Sequence, residues 1–322
     1  MTRRTGHGFV IRSGGESPNR TTRQSPRAAY VQCGLTMGDS LVRCATFNVL
    51  HGRPIDPDGR PTAALPGDLS APLAEAVASL DADVVALQEI DRLQERSGGV
   101  DQAAVAAEAM AARDWRYATA LHCRSVPGRG WVLDPAEPGM RVYGPDARQP
   151  QVPSHGVALL SRLPVREWHA LRLPAAPFGM PLRVAGRAAP VLARDQARAA
   201  LAAVLEGPHG PFTVVAVHLS FVPGWNIGQL RSVHRWIAEL PQPQLLMGDF
   251  NLIGALPRFT LNASARRGWR GSARQATFPS HRPLVQLDHI LLNGLGEDAV
   301  GAVRVPRTAI SDHRPLVVEL SL

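Results

Sequence analysis

Residues 244–251 read Gln-Leu-Leu-Met-Gly-Asp-Phe-Asn. Three large apolar residues in succession deliver a glycine, a carboxylate and an amide, the form of a buried strand whose end carries chemistry. At a strand's period of two, Asp249 and Asn251 point to one side, where they can jointly hold a water and a phosphate oxygen. The plain alternative is a turn in which both side chains satisfy backbone groups.

The same arrangement recurs on either side of this stretch. A strand predicted over residues 42–48 ends on Asn48, and DVVALQE, residues 83–89, ends on Glu89. The run VVAVHLS carries His218, LDHILL opens on Asp288-His289, and Ser311-Asp312-His313 precedes a last apolar run over 315–320. An acid at the end of an apolar run is costly unless it is solvated or binds a cation. Each motif alone is matched by a surface turn, but their shared placement beside strand ends is hard to ascribe to chance. Hard oxygen ligands, amides and histidines on one rim make a Mg²⁺ and phosphate site.

Other strand-like runs fall at 157–161, 200–205, 212–219, 244–247, 287–292 and 300–305. A helix is predicted from Ser70 to about residue 80, with Ser70 as its cap and Pro72 in its first turn. An Ala-rich helix is predicted over 101–114, and another over 226–240, where Ile227, Leu230, Val233 and Ile237 recur at helical spacing. Residues 121–154 hold many Pro, Gly and Arg without a period and read as an irregular insertion or substrate loop. So many short strands with helices between them predict two packed sheets flanked by helices, not one doubly wound sheet. Residues 37–322 form one domain on this reading, and 1–36 a disordered or mis-assigned extension with Met37 as an alternative start.

Charge points less firmly. All 35 basic residues are arginine, which fits the coding bias of GC-rich DNA. Of the net +8, residues 1–36 hold six arginines against Glu16 alone, so the body is only mildly basic and the charge does not specify a polyanionic partner. Cys33, Cys44 and Cys123 are an odd number without C-x-x-C spacing, which argues against a disulfide framework or a zinc knuckle. No apolar run reaches a membrane span, and a cytoplasmic monomer is the expectation. Phe221 and Trp225 either stack on a substrate or cap the helix that follows.

With TFNVLHG around Asn48, ALQEID around Glu89, HGVALLSRLP from His155, VAVHLS, GDFN, LDHILL and SDHRPL, the chain resembles the endonuclease/exonuclease/phosphatase superfamily. That superfamily includes deoxyribonuclease I, apurinic endonucleases, sphingomyelinases and inositol polyphosphate 5-phosphatases. The resemblance covers roughly residues 42–320 and implies a four-layered α/β/β/α sandwich, two packed mixed β-sheets flanked by helices, with phosphoester hydrolysis dependent on Mg²⁺ or Mn²⁺. It implies Glu89 as principal metal ligand with Asn48 and Asp312 in or near the shell. Asp249 would orient or deprotonate the attacking water, and Asn251 would hold the phosphate. His313, paired with Asp288, would stabilise transition-state charge, and His218 would contact the phosphate or assist the leaving group. His218 stands where the apurinic branch carries Asn, which leans towards the deoxyribonuclease and sphingomyelinase-like branches. His155, Thr277 and one of Arg194 and Arg198 are further candidates for substrate phosphate; His155 reads equally as a loop histidine and Thr277 as part of a turn leading into a strand. The implied function is a phosphodiesterase of nuclease type, acting on nucleic acid or on a small phosphorylated molecule or lipid headgroup. The alternatives are a phosphomonoesterase on a lipid headgroup, inositol or nucleotide phosphate, and a non-catalytic phosphate-binding module.

Overall fold

The computed structural model describes residues 8–11, 41–62, 69–126, 129–136, 139–145, 150–182, 191–263 and 268–322. Its strands begin with β1 (Gly8–Ile11), β2 (Leu41–Asn48), β3 (Val84–Arg92), β4 (Asp114–Val126), β5 (Gly130–Leu133) and β6 (Val142–Tyr143). There follow β7 (Ser154–Ser161), β8 (Val165–Leu173), β9 (Gly179–Leu182), β10 (Val191–Arg194), β11 (Arg198–Gly207) and β12 (Gly210–His218). The last are β13 (Gln244–Asp249), β14 (Arg270–Gly271), β15 (Asp288–Asn293), β16 (Val300–Arg304) and β17 (Leu316–Ser321). Four helices accompany them among the described residues: α1 (Ser70–Ala78), α2 (Gln102–Ala109), α3 (Trp225–Trp236) and α4 (Leu256–Asn262).

One sheet has the order β16-β17-β2-β3-β7-β4-β5, with β6 also on β4, and the other β1-β8-β11-β12-β13-β15-β14. Both are mixed: β2 and β3 are parallel, as are β12 and β13, while their neighbours run antiparallel. Period-two alternation builds the layers. Val42 and Cys44 on β2, and Leu245 and Met247 on β13, meet in the core between the sheets. Their alternates turn outward: Ala45 and Phe47 pack under α1 and α2, and Leu246 under α3. Three apolar layers separated by two sheets define the α/β/β/α sandwich, each buried Leu or Val contributing roughly 1.5–3 kcal/mol of transfer free energy.

Several boundaries differ from the sequence-based expectation. Residues 121–154 are not an irregular insertion throughout, because β4 runs on to Val126 and pairs with β5, β6 and β7. A register shift between Thr119 and Leu121 breaks its alternation, which hid the strand. The Ala-rich helix stops at Ala109: Ala111 takes φ 53 and the Ala112 N–H returns to the Ala107 carbonyl, after which β4 begins at Asp114. Ser70 is the first residue of α1 and not its cap, which falls on Leu69. Within the segment expected to be disordered, residues 8–11 form β1 on the edge of β8, where an apolar run finds an unpaired strand. The other residues of 1–36, and Met37, lie outside the described residues.

Candidate active site

The parallel pairs place Asn48 and Glu89 at one end of the first sheet, and His218 beside Asp249 at the corresponding end of the second. Asp288 opens β15 directly opposite Asp249. The sandwich brings the two rims together: the Asn48 Nδ2 donates to Glu89 Oε1 at 3.1 Å and to Asp249 Oδ2 at 3.1 Å. Asn48 thus ties the sheets and aims both carboxylates, while its amide oxygen accepts from the Leu50 N–H at 3.2 Å.

Glu89 sits on a β-bulge with φ 56, where the register to β7 shifts. The left-handed backbone turns its carboxylate out of the strand's alternation and towards the rim. Burial lifts its pKa, but the Asn48 amide that donates to it and the polar neighbours at the rim outweigh this and bring it to about 2. Asp312, half-buried, is raised by burial and by the nearby charge of Glu89.

Asp249 is buried with its Oδ2 3.6 Å from His218 Nε2 and 3.9 Å from His313 Nε2. Burial, joined by the repulsion of Asp288 and opposed by His313, raises its pKa to about 6. Asp288 is fully buried and holds His313 Nδ1 at 2.8 Å. Burial would discharge His313, yet Asp288, Asp249 and Asp312 together raise it to about 10, so the ring is an imidazolium at neutral pH. His218 has the opposite fate: burial and then Arg198 push its pKa well down and keep it neutral. The Arg198 Nη1 lies 3.2 and 3.1 Å from the two His218 nitrogens, so the guanidinium lies over the ring.

Asn251 departs from the period-two expectation. β13 ends at Asp249, and Asn251 lies past it at φ 49, with its N–H on Asp249 Oδ1 at 2.9 Å. A turn, not strand alternation, brings its Nδ2 to 3.4 Å from His218 Nε2 and 3.0 Å from the Leu219 carbonyl. Arg198 reaches the site, whereas Arg194 is exposed on the β9–β10 hairpin. The Thr277 oxygen accepts from the N–H groups of Leu287 and Asp288 at 3.4 and 3.3 Å, so it braces the entrance to β15. Trp225 heads α3 and donates to the Pro174 carbonyl at 2.8 Å. His289, next to Asp288 in sequence, faces away and meets the Leu252 carbonyl at 2.9 Å.

His155 belongs to a second polar cluster that the sequence reading missed. Its Nδ1 is 2.7 Å from Asp91 Oδ1, and Asp91 also accepts from Arg96 at 2.8 and 2.9 Å and from Ser97 at 3.1 Å. Arg96 stacks on Trp131 with its guanidinium carbon 4.3 Å from the ring centroid. Asp91 was present in the ALQEID motif, but its partners lie up to 64 residues away, so only the fold reveals it. The cluster turns His155 into a slot that Ala120, Arg198 and His218 also line. Beyond Ala120 a cavity of about 330 Å³ opens, lined by Leu121, His122, Leu133, Pro135 and Arg172 among others.

The residues fit a hard divalent cation. Glu89 and Asp312 offer oxygen donors, Asn48 orients Glu89, and the Asp288 Oδ1 is buried without a hydrogen-bond partner among the described residues. Asp249, Asp288 and His313 also place ligand atoms within 4.8 Å of one another. Within that trio the His313 Nδ1 is bonded to Asp288 at 2.8 Å and its Nε2 faces Asp249 at 3.9 Å.

The family model for the endonuclease/exonuclease/phosphatase family matches residues 45–313. Among solved structures, the chain is similar to an endonuclease/exonuclease/phosphatase from Beutenbergia cavernae at 23% identity, covering 87% of this chain and 71% of that one with a TM-score of 0.53. A family member from Leptotrichia buccalis matches at 15% identity over 87% and 99% of the two chains, with a TM-score of 0.54. A mannosyl-6-phosphatase from Bacteroides thetaiotaomicron matches at 17% identity over 87% and 99%, with a TM-score of 0.51. At these identities the likeness is one of fold. Comparison with curated proteins found no match.

Proposed function

The chain belongs to the endonuclease/exonuclease/phosphatase family, and from that premise we propose that it is a Mg²⁺-dependent hydrolase of phosphodiesters. The observation that carries this reading is a buried Asp249 carboxylate 3.9 Å from the His313 ring, which Asp288 holds from its far side at 2.8 Å. A buried carboxylate titrating at about 6 faces an imidazolium held to about 10 by Asp288, a base and a cationic donor at one point. A phosphodiester anion repels an incoming nucleophile, so its oxygens need neutralising before attack.

Asp249 takes the proton as the water oxygen bonds to phosphorus. The His313 imidazolium donates to a non-bridging oxygen, and Asp288 keeps the ring aligned and charged. Asn251 and neutral His218 supply hydrogen bonds that fix the phosphoryl group, and Arg198 adds positive charge at the slot. The ester bond opposite the incoming water breaks, and the departing alkoxide collects a proton from solvent. Glu89, with Asp312 beside it and Asn48 orienting it, would hold the cation, which when bound supplies charge neutralisation for the phosphoryl oxygens.

A panel of bis-p-nitrophenyl phosphate, p-nitrophenyl phosphate, plasmid DNA, RNA, sphingomyelin and inositol phosphates tests the reading. The diester should turn over with Mg²⁺, stop with EDTA, and fail with Asp249→Asn. Metal-independent turnover, or Mg²⁺ and diester binding without turnover, contradicts it.

A further inference from the structure

Large hydrophobic side chains are exposed at nine described positions, and their placement is lopsided. Eight of the nine, all but Leu41, stand on segments that leave the site-bearing ends of the strands. Val132 and Leu133 lie on β5, which pairs with the part of β4 that overshoots His155. Phe178 and Leu192 flank or lie on the β9–β10 hairpin, between the end of β8 and Arg198. Ile253, Leu256 and Phe259 recur every third residue just after Asp249 and Asn251. Leu284, 70% exposed, tops a turn tied to the site where the Ser280 N–H meets the Asp312 carbonyl at 2.6 Å. Leu41 opens β2, at the end away from Asn48.

Scattered exposed leucines are ordinary; segregation around one mouth is not. The charge on these segments is mostly positive. Residues 129–134, 178–194, 252–259 and 278–285 carry Arg129, Arg194, Arg258 and Arg282, against Asp134 as the one carboxylate among their described residues. We infer that the mouth docks on an anionic lipid surface, apolar side chains entering the interface and arginines meeting the headgroups, so that the substrate is a phosphoester borne by that surface. The substrate half of this inference rests on the hydrolase reading; the docking half does not. Nucleic acid is a poorer fit, because six of the eight are aliphatic and offer nothing to a phosphate backbone or to base stacking, Phe178 and Phe259 being the two aromatics. A second copy is also a poorer fit, since it would set arginine against arginine.

The test is co-sedimentation of the full chain with vesicles of phosphatidylcholine mixed with phosphatidylglycerol, beside vesicles of phosphatidylcholine alone. Wild type and Asp249→Asn should both bind the anionic vesicles, less so as salt rises. Leu192→Asp, Ile253→Asp and Leu284→Asp should each weaken binding about tenfold, while Leu41→Asp should not. All four should hydrolyse bis-p-nitrophenyl phosphate in solution as wild type does. Failure of wild type to bind, equal binding by the mouth variants, or loss of duplex DNA binding in those variants with vesicle binding intact would overturn the inference. Lack of turnover with vesicle binding intact would instead count against the hydrolase reading alone.

Discussion

Replacing Asp249 by Asn and His313 by Ala separates two roles that look alike in sequence. Asp249→Asn should lower turnover by about 10²–10⁴, with melting temperature unchanged or raised, since a buried carboxylate next to Asp288 is relieved. His313→Ala should lower turnover comparably and also cost about 3–5 kcal/mol of stability, because Asp288 would be left buried and unpaired. Denaturation curves beside single-turnover rates check both. The pH dependence follows from the same pair: the base must be ionised, so kcat/KM should rise with pH through about 6. The imidazolium must stay protonated, so kcat/KM should fall through about 10. In His313→Gln the alkaline fall should vanish from the residual activity.

Single elements place these residues by backbone devices. Gly248 precedes Asp249 in β13, and a Cβ there would stand 1.9 Å from the Val217 carbonyl oxygen. Gly248→Ala therefore forces β12 and β13 apart, and should destabilise by about 1–3 kcal/mol or more and reduce activity as His218 loses its register with Asp249. Asp101 caps α2 by accepting from the Ala103 and Ala104 N–H groups and also holds Arg92. Asp101→Ala should cost about 1–2 kcal/mol while leaving the rate of hydrolysis intact; thermal melts and kinetics together distinguish this variant from Gly248→Ala.

At the scale of the molecule, the site is a seam between two sheets, with Asn48 and Glu89 on one rim and Asp249 and Asp288 on the other. A cation at the seam should stabilise the whole sandwich: Mg²⁺ at a hundredfold its dissociation constant adds about 2.7 kcal/mol. The melting temperature should rise accordingly, and Glu89→Gln should cancel most of the rise. The alternation that makes the strands, the two-sheet layering and most of the rim are legible in the residues alone, because apolar period and the position of a polar residue at a strand end are local properties. Asn48, Glu89, His218, Asp249, Asp288 and His313 stand out on that basis. It takes the folded chain to show that Asn251 reaches the rim from a turn, that Arg198 and not Arg194 meets His218, and that Thr277 braces the backbone. The fold alone joins Asp91, Arg96 and His155, and sets Asp249 against the Asp288–His313 pair. Those outcomes depend on burial and on which charges meet across the seam, and both are set by contacts between residues far apart in the chain.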